Sequence, residues 1–232
     1  KLKYEFLAHY NQANGVSLRS RVFASIGVMN RIGCKLTPVS NWLMDSKVGR
    51  LMLNHLGIHR LRKLPKFANP TFSTWFKGRP SNLIGGAKGS VVLFHDTFTE
   101  GNYPSVGKAA TELLERAGFE VILVPKACCG RPMISKGFLD KARSSAQYNV
   151  DLLFPYVSKG IKVVGTEPSC LLTLRDEYPD LLPNDERVKA IASNSLLLDE
   201  FLLSVAANED QGIPALKFAP YEGKVLLHCH CH

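Results

Sequence analysis

Long hydrophobic runs are missing from this sequence. None of its apolar stretches approaches the roughly 18 residues that a transmembrane helix needs, so the sequence predicts no such helix. Acidic side chains are scarce in the first third of the chain: residues 1–80 hold 14 Lys and Arg against 2 Asp and Glu, a net charge of +12. Residues 81–232 hold 15 and 18, a net charge of −3. This asymmetry indicates two segments with different surroundings.

The basic segment carries none of the usual nucleic-acid-binding motifs, so we expect no nucleic-acid partner. A basic face can meet anionic lipid or an acidic neighbouring domain, and a solvated helical surface is the simpler alternative. A flavin-binding pattern is also missing, so any FAD is expected in another part of the polypeptide.

Both ends of the sequence indicate a piece of a longer polypeptide. The chain starts without an initiator Met, on the polar sequence Lys1–Glu5, which lacks the pattern of a signal peptide. It stops in a run of Cys and His directly after a predicted strand. Six cysteines without a secretion signal predict a reducing compartment, and hence a cytoplasmic protein.

The spacing of apolar residues divides the chain into a helical and an α/β part. Residues 1–76 show helical spacing, and a linker rich in Gly and Pro follows. From residue 89 onward, β-branched runs alternate with helical stretches, which predicts a mostly parallel sheet with flanking helices and the helical arm packed on it. The predicted strands lie near residues 90–95, 119–124, 161–165 and 224–228, and the longer helices near 104–117, 135–157 and 185–206.

Five of the six cysteines follow predicted strands. Cys128-Cys129-Gly130 comes after the second strand, Cys170 after the third, and Cys229 and Cys231 after the fourth. The carboxyl ends of parallel strands meet at one edge of a sheet, so these thiols are expected to converge on one crevice. Such a set is typical of a metal centre, an iron–sulfur centre or a redox thiol site. The alternative is that the thiols are small buried core residues, as we expect for Cys34.

Polar residues near these cysteines are candidates for the rim of the crevice or for substrate contacts. For Asp96, after the first strand, a hydrogen-bonded cap of the loop 97–102 is the favoured interpretation. Glu167 either orients a ligand or serves as the carboxylate at a helix N-terminus. The full set of rim candidates is His95, Asp96, Arg131, Glu167, His228 and His230.

Four motifs resemble the cysteine-rich CCG domains. They are Phe94-His95-Asp96-Thr97-Phe98, Cys128-Cys129-Gly130-Arg131-Pro132, Gly165-Thr166-Glu167-Pro168-Ser169-Cys170 and His228-Cys229-His230. Such domains occur in the iron–sulfur subunits of glycolate oxidase and anaerobic glycerol-3-phosphate dehydrogenase, and in heterodisulfide reductase. The likeness extends to long bacterial fusion proteins that join an FAD-linked oxidase, a ferredoxin-like module and two CCG domains. Those fusions resemble D-lactate or D-2-hydroxyglutarate dehydrogenases.

The resemblance implies an iron–sulfur cluster of the 4Fe-4S type. By position it would be held by Cys128, Cys129, Cys170 and Cys229, with Gly130 in the binding loop and Cys231 as a further metal ligand. Two departures leave an incomplete cluster, or none in this piece, as the alternative. Family members often have Cys where this chain has Asp96, and only Cys170 is left of the later motif.

The resemblance also implies a function and a domain order. We expect the electron-transfer portion of an FAD-linked 2-hydroxyacid dehydrogenase, passing electrons from flavin to an acceptor and not catalytic by itself. Its expected partners are that acceptor and the FAD-binding and ferredoxin-like domains of the same polypeptide. The expected location is the cytoplasm, or the inner face of the cytoplasmic membrane. The alternative is a non-redox module that docks domains, or binds zinc or substrate. The predicted domains are a basic helical segment with linker (1–80), a first CCG domain (81–223) and the start of a second (224–232).

Overall fold

Helices form the N-terminal part of the computed structural model, which describes residues 2–59, 61–80, 83, 87–207, 220 and 222–226. Their bounds are α1 Leu2–Asn14, α2 Leu18–Ala24, α3 Ile26–Lys35, α4 Val39–Asp45, α5 Lys47–His55 and α6 Phe72–Gly78. Ser17, Ser46 and Thr71 begin α2, α5 and α6, because each side-chain oxygen accepts the backbone N–H three residues further on. These six helices confirm the helical prediction for this segment. We call α1 to α6 the helical arm.

Four parallel strands form the sheet of the described α/β part, in the order β2-β1-β3-β4. Their bounds are β1 Gly89–Leu93, β2 Phe119–Ile122, β3 Lys162–Gly165 and β4 Ser195–Leu197. Val91, Val92 and Leu93 of β1 are at most 1% exposed, as expected for a parallel strand covered on both faces. The mostly parallel α/β fold and its first three strands are therefore confirmed.

The fourth strand lies elsewhere than the sequence predicts. Residues 224–226 form no strand, and residues 227–228 lie outside the described part of the chain. β4 instead interrupts the stretch 185–206, which the sequence predicts to be one helix, and pairs with β3. The run Leu196-Leu197-Leu198 has no Gly or Pro on either side to mark a turn. The segment is extended because it pairs with β3.

Helices cover both faces of the sheet. The face that carries Val91 and Leu93 packs against α6, α8 Pro104–Arg116 and α14 Leu198–Ala207. The opposite face, which carries Val92, packs against α10 Leu139–Val157 and α13 Arg187–Asn194. Successive strand residues point to opposite sides of the sheet, so β1 contributes side chains to both hydrophobic cores. The shorter helices are α7 Thr97–Gly101, α9 Arg131–Ile134, α11 Pro168–Leu172 and α12 Tyr178–Leu181, with a π-helix at Thr173–Glu177.

The helical arm packs on the α/β part beside the carboxyl end of β1. Asn30 Nδ2 donates to the Thr97 carbonyl at 2.6 Å, and Cys34 Sγ donates to the Gly101 carbonyl at 3.2 Å. Phe72 of α6 is wholly buried in one of the two cores. Among the described residues, no helix combines the length and apolar character needed to cross a membrane.

Candidate functional site

Three thiols converge at the carboxyl edge of the sheet. Cys128 and Cys129 lie in the loop between β2 and α9, and Cys170 lies in α11, shortly after β3. The Sγ atoms of Cys129 and Cys170 are 3.2 Å apart, and the side chains of Cys128 and Cys129 are hydrogen-bonded to each other. Gly130 turns the chain into α9 with a φ of 94°, a left-handed conformation that glycine adopts without strain. The structure therefore brings together Cys128, Cys129 and Cys170.

The remaining thiols and imidazoles of the predicted crevice lie outside the described residues. They are Cys229 and Cys231 with the neighbouring His228 and His230. Their position beside Cys129 stays a prediction. Cys34 lies away from this cluster in the packed arm, as expected, and burial raises the pKa of its thiol.

Burial and mutual contact keep the adjacent pair of thiols protonated. The hydrogen bond with Cys129, together with burial, raises the pKa of Cys128 far above that of a free thiol. For Cys129 the hydrogen bond with Cys128 lowers the pKa, but the contact with Cys170 and burial outweigh it, so the net shift is upward. A bound cation makes a coordinating thiol lose its proton. A cation bound beside Cys128 and Cys129 would therefore favour the thiolate form of both side chains.

Asn149 holds the backbone of the thiol loop by hydrogen bonds, and Tyr178 is hydrogen-bonded to Asn149. The sequence analysis missed both residues. Asn149 Oδ1 accepts the Ala127 N–H at 2.9 Å, and its Nδ2 donates to the Cys128 carbonyl at 3.3 Å and to Tyr178 Oη at 2.8 Å. Both side chains are wholly buried, and burial raises the pKa of Tyr178 well above its usual value. The signal was an Asn at helical spacing among Ala142, Ala146 and Leu153, on the buried face of α10.

Arg131 forms an ion pair with Glu177 beside the thiol loop, and neither side chain is more than 22% exposed. The guanidinium also lies 5.7 Å from the centre of the Tyr4 ring in the helical arm. Arg131 thus joins α9, the π-helix and the arm. Its predicted contact with a substrate stays a prediction.

Asp96 and Glu167 both cap helices. Asp96 Oδ1 accepts the backbone N–H of Phe98 at 2.6 Å and of Thr99 at 3.0 Å, and Oδ2 accepts the Thr99 hydroxyl. Glu167 Oε1 accepts the Ser169 N–H at 3.2 Å at the start of α11. The capping interpretation is confirmed for both carboxylates. Both carboxylate oxygens of Asp96 are thus engaged at the start of α7.

His95 is buried between the sheet edge and the helical arm. Its Nε2 lies 3.5 Å from Glu100 Oε2, and its ring lies 5.5 Å from that of Phe72. Burial and, to a smaller extent, the positive charge of Lys126 together lower the pKa of His95 to about 3. The imidazole is therefore neutral at physiological pH.

The buried His95 makes folding sensitive to acid. An unfolded His has a pKa of about 6.5, and the folded value is lower, so the unfolded chain binds more protons as the pH falls below that value. Stability is therefore full above about pH 6.5 and decreases on acidification, by at most about 1.4 kcal/mol per pH unit. We expect the free energy of unfolding in urea to fall less between pH 7.5 and pH 5 in His95→Gln than in the parent. The exposed His9→Gln serves as the control. Equal pH dependence in parent and His95→Gln would contradict this account.

The three thiols fit an iron–sulfur group in donor chemistry but make an incomplete ligand set. Within the described ranges, no group of three or more His, Cys, Asp or Glu side chains is arranged to hold a metal ion. The thiols are nevertheless soft donors at one edge of the sheet, which is the donor type that iron–sulfur groups use. Cys229 and Cys231, which lie outside the described residues, stay the predicted completing ligands.

The fold and the thiol edge agree with a match to a known family. Residues 92–175 match the model of the cysteine-rich domain named CCG. The chain therefore carries a CCG cysteine-rich domain. The matched range runs from the end of β1 through β2 and β3, and it includes Cys128, Cys129 and Cys170.

Curated relatives extend the similarity into the helical arm. The chain is 34% identical over 219 residues to a subunit of anaerobic glycerol-3-phosphate dehydrogenase from Escherichia coli (strain K12), covering 93% of this chain and 54% of that protein. Lactate utilization protein A of Exiguobacterium sp. is 30% identical over 148 residues, covering 62% of this chain and 57% of that protein. The Bacillus subtilis (strain 168) protein of the same name is 31% identical over 147 residues, 61% of this chain and 57% of that protein. The chain thus spans about half the length of these relatives. No solved structure shows significant similarity to it.

Proposed function

We propose that this chain is the iron–sulfur-binding, electron-transfer portion of an FAD-linked 2-hydroxyacid dehydrogenase. The observation that carries the proposal is the convergence of Cys128, Cys129 and Cys170 at the sheet edge of a CCG domain. The names of the relatives support it: one is a dehydrogenase subunit, and the others act in the use of lactate, a 2-hydroxyacid. The FAD-binding and ferredoxin-like domains and the electron acceptor are its proposed partners.

Each residue at the edge has a distinct part in this proposal. The thiols of Cys128, Cys129 and Cys170 hold the cluster, proposed as 4Fe-4S, with Cys229 and Cys231 completing the set. A bound cluster supplies one-electron redox chemistry at potentials set by its hydrogen bonds and burial. Asn149 fixes the backbone of Cys128, and Cys129, only 1% exposed, keeps water from the inner side of the site. His228 and His230 are proposed for the rim.

A non-redox module that binds zinc or docks domains is the second candidate. Asp96 favours it, because this residue caps α7 and leaves the crevice one thiol short of the family pattern. The arrangement would then serve structure, with thiols and imidazoles holding Zn²⁺ in place of an iron–sulfur group.

Metal analysis separates the two candidates. Full-length protein and its Cys170→Ser variant are purified without oxygen, and iron, acid-labile sulfide and zinc are measured together with the visible spectrum. We expect Cys170→Ser to lose iron and sulfide, with part of the broad absorbance in the blue. Loss of zinc at unchanged iron would favour the zinc-binding form of the second candidate, and unchanged metal content would favour its metal-free form, a module that docks domains.

The helical arm offers a surface for an anionic membrane. Apolar side chains on α3 to α5 are exposed, among them Ile32, Trp42 and Leu51 at 52%, 71% and 60%. The same three helices carry four Lys and Arg residues and a single acidic residue, Asp45. Basic helices with exposed apolar and Trp side chains bind at the interface of anionic bilayers. We place the protein in the cytoplasm, peripheral to the inner face of the membrane.

Vesicle flotation tests this placement. We expect full-length protein to float with vesicles that contain anionic phosphatidylglycerol and to stay behind with vesicles of phosphatidylcholine alone. Trp42→Ser combined with Leu51→Ser is expected to weaken binding at least tenfold, because burying each side chain contributes about 1.5–3 kcal/mol. Leu203→Ser, at an equally exposed leucine on α14, is the matched control. Equal flotation of both variants would show that the exposed apolar side chains of the arm do not bind the membrane, and that they contact a protein partner or face solvent.

A further inference from the structure

A cleft of ≈ 940 Å³ lies between the helical arm and the carboxyl edge of the sheet. Its walls come from α2 and α3, from residues 69–77, and from the loops after β1 and β2. Cys128 lines it as well, so the cleft adjoins the thiol cluster. Its size lies within the range of about 300–1,000 Å³ that small-molecule sites occupy.

The walls of the cleft are positively charged. Four basic side chains line it, and the sole acidic side chain among the lining residues is Glu100. Glu100 already accepts hydrogen bonds from the backbone N–H and the hydroxyl of Ser73, at 3.0 and 2.6 Å. The basic residues are Arg31, Lys35, Lys77 and Lys126. A concave site lined by one sign of charge concentrates small ions of the opposite sign.

Two buried polar side chains on this wall are incompletely satisfied. Asn30 and His95 are 5% and 7% exposed, and Asn30 Oδ1 and His95 Nδ1 have no hydrogen-bond partner in the described part of the chain. The orientation of the Asn30 amide is fixed, because its Nδ2 faces the Thr97 carbonyl, which can only accept. Oδ1 is therefore a buried acceptor that lacks a donor among the described residues, which is an unfavourable state for a buried polar atom.

Together these features define a ligand that carries both an anionic group and a hydroxyl. The basic wall suits a carboxylate or a phosphate, and a hydroxyl supplies the donor that Asn30 Oδ1 lacks. We propose that this cleft binds a small hydroxylated anion, a hydroxycarboxylate or a hydroxyalkyl phosphate. The proposal goes beyond the electron-transfer role, since binding here needs no bound cluster.

Calorimetric titration of the full-length protein tests the proposal. The probes are D-lactate and glycerol 3-phosphate, with propionate as the anion that matches lactate but lacks its hydroxyl. The key variant is Arg31→Met combined with Lys126→Met. Its matched control is Lys47→Met combined with Lys159→Met, at exposed lysines outside the cleft. Any site in the flavin-binding part is common to all variants and cancels in the comparison.

We expect the cleft variant to bind both hydroxylated anions at least tenfold more weakly than the parent and the control variant. The parent is expected to bind lactate at least tenfold more tightly than propionate, and Asn30→Leu, checked for folding by circular dichroism, to lose this preference. Equal affinities in the parent and the cleft variant would overturn the proposal, as would equal affinity of the parent for lactate and propionate. Iron and sulfide, measured on the same preparations, report separately on the proposed cluster.

Discussion

Replacing Cys129 by Ser is expected to stop electron delivery to the acceptor while flavin reduction by the substrate continues. Cys129 is 1% exposed, and its Sγ lies 3.2 Å from Sγ of Cys170, so it occupies the centre of the thiol cluster. A serine oxygen is a harder and poorer ligand for iron than a thiolate, so the cluster is lost or its potential shifts. Stopped-flow measurement of flavin reduction and steady-state turnover with the acceptor separate the two steps.

Cys34→Ser is the matched control for this experiment. Cys34 is also buried, but it lies away from the thiol cluster, and its thiol donates to the Gly101 carbonyl, which a serine hydroxyl can also do. We expect this variant to keep the parent spectrum and turnover. Turnover of Cys129→Ser at the parent rate would show that the thiol is structural. Failure of flavin reduction in a folded variant would place the crevice in the substrate site.

Glu115→Leu is expected to destabilise the α/β part by about 3–5 kcal/mol, because it leaves a buried cation unpaired. Arg79 Nη1 and Nη2 donate to the two carboxylate oxygens of Glu115 at 3.0 and 2.7 Å, and the two side chains are 10% and 1% exposed. The Arg79 guanidinium also lies 4.4 Å from the centre of the Phe76 ring. The pair therefore joins the end of α6 to the inner face of α8.

Urea denaturation measures this loss, and two further variants interpret it. Glu112→Leu, on the exposed side of the same helix, is expected to stay within about 0.5 kcal/mol of the parent. Arg79→Leu combined with Glu115→Leu is expected to recover part of the loss, because no charge is then left buried. A loss below about 1 kcal/mol in Glu115→Leu would mean that Arg79 finds another partner or reaches water.

The pattern of neighbouring residues in the sequence was enough to predict the strands whose residues all favour extended structure. Val91 to Leu93 and Val163-Val164 are continuous β-branched and aliphatic runs, which are strands in almost any parallel sheet. The meeting of Cys129 with Cys170 followed from the rule that parallel strands end at one edge. β4 could not be predicted in this way, because Leu196 and Leu197 become extended only through their pairing with β3.

Features that depend on two distant segments were also missed. Arg79 and Glu115 are 36 residues apart in sequence, and nothing in either local pattern selects the other. Asn149 and Tyr178 are likewise joined only by the packing of α10 against the start of α12. The cleft wall formed by Asn30 and His95 depends on how the arm packs on the sheet edge, which neither segment specifies alone.

The π-helix at Thr173–Glu177 makes the site depend on the number of residues as well as on their identity. Glu177 ends this π-helix and Tyr178 follows it, and they face Arg131 and Asn149 respectively. A π-helix closes each hydrogen-bonded turn with one residue more than an α-helix, so deleting one residue here would change which side chains face Arg131 and Asn149 while leaving every cysteine in place. A relative one residue shorter at this point can therefore align perfectly at its thiols and still lack the support beneath them. Insertions and deletions in this short stretch are the changes to inspect when a cysteine motif is transferred from one sequence to another.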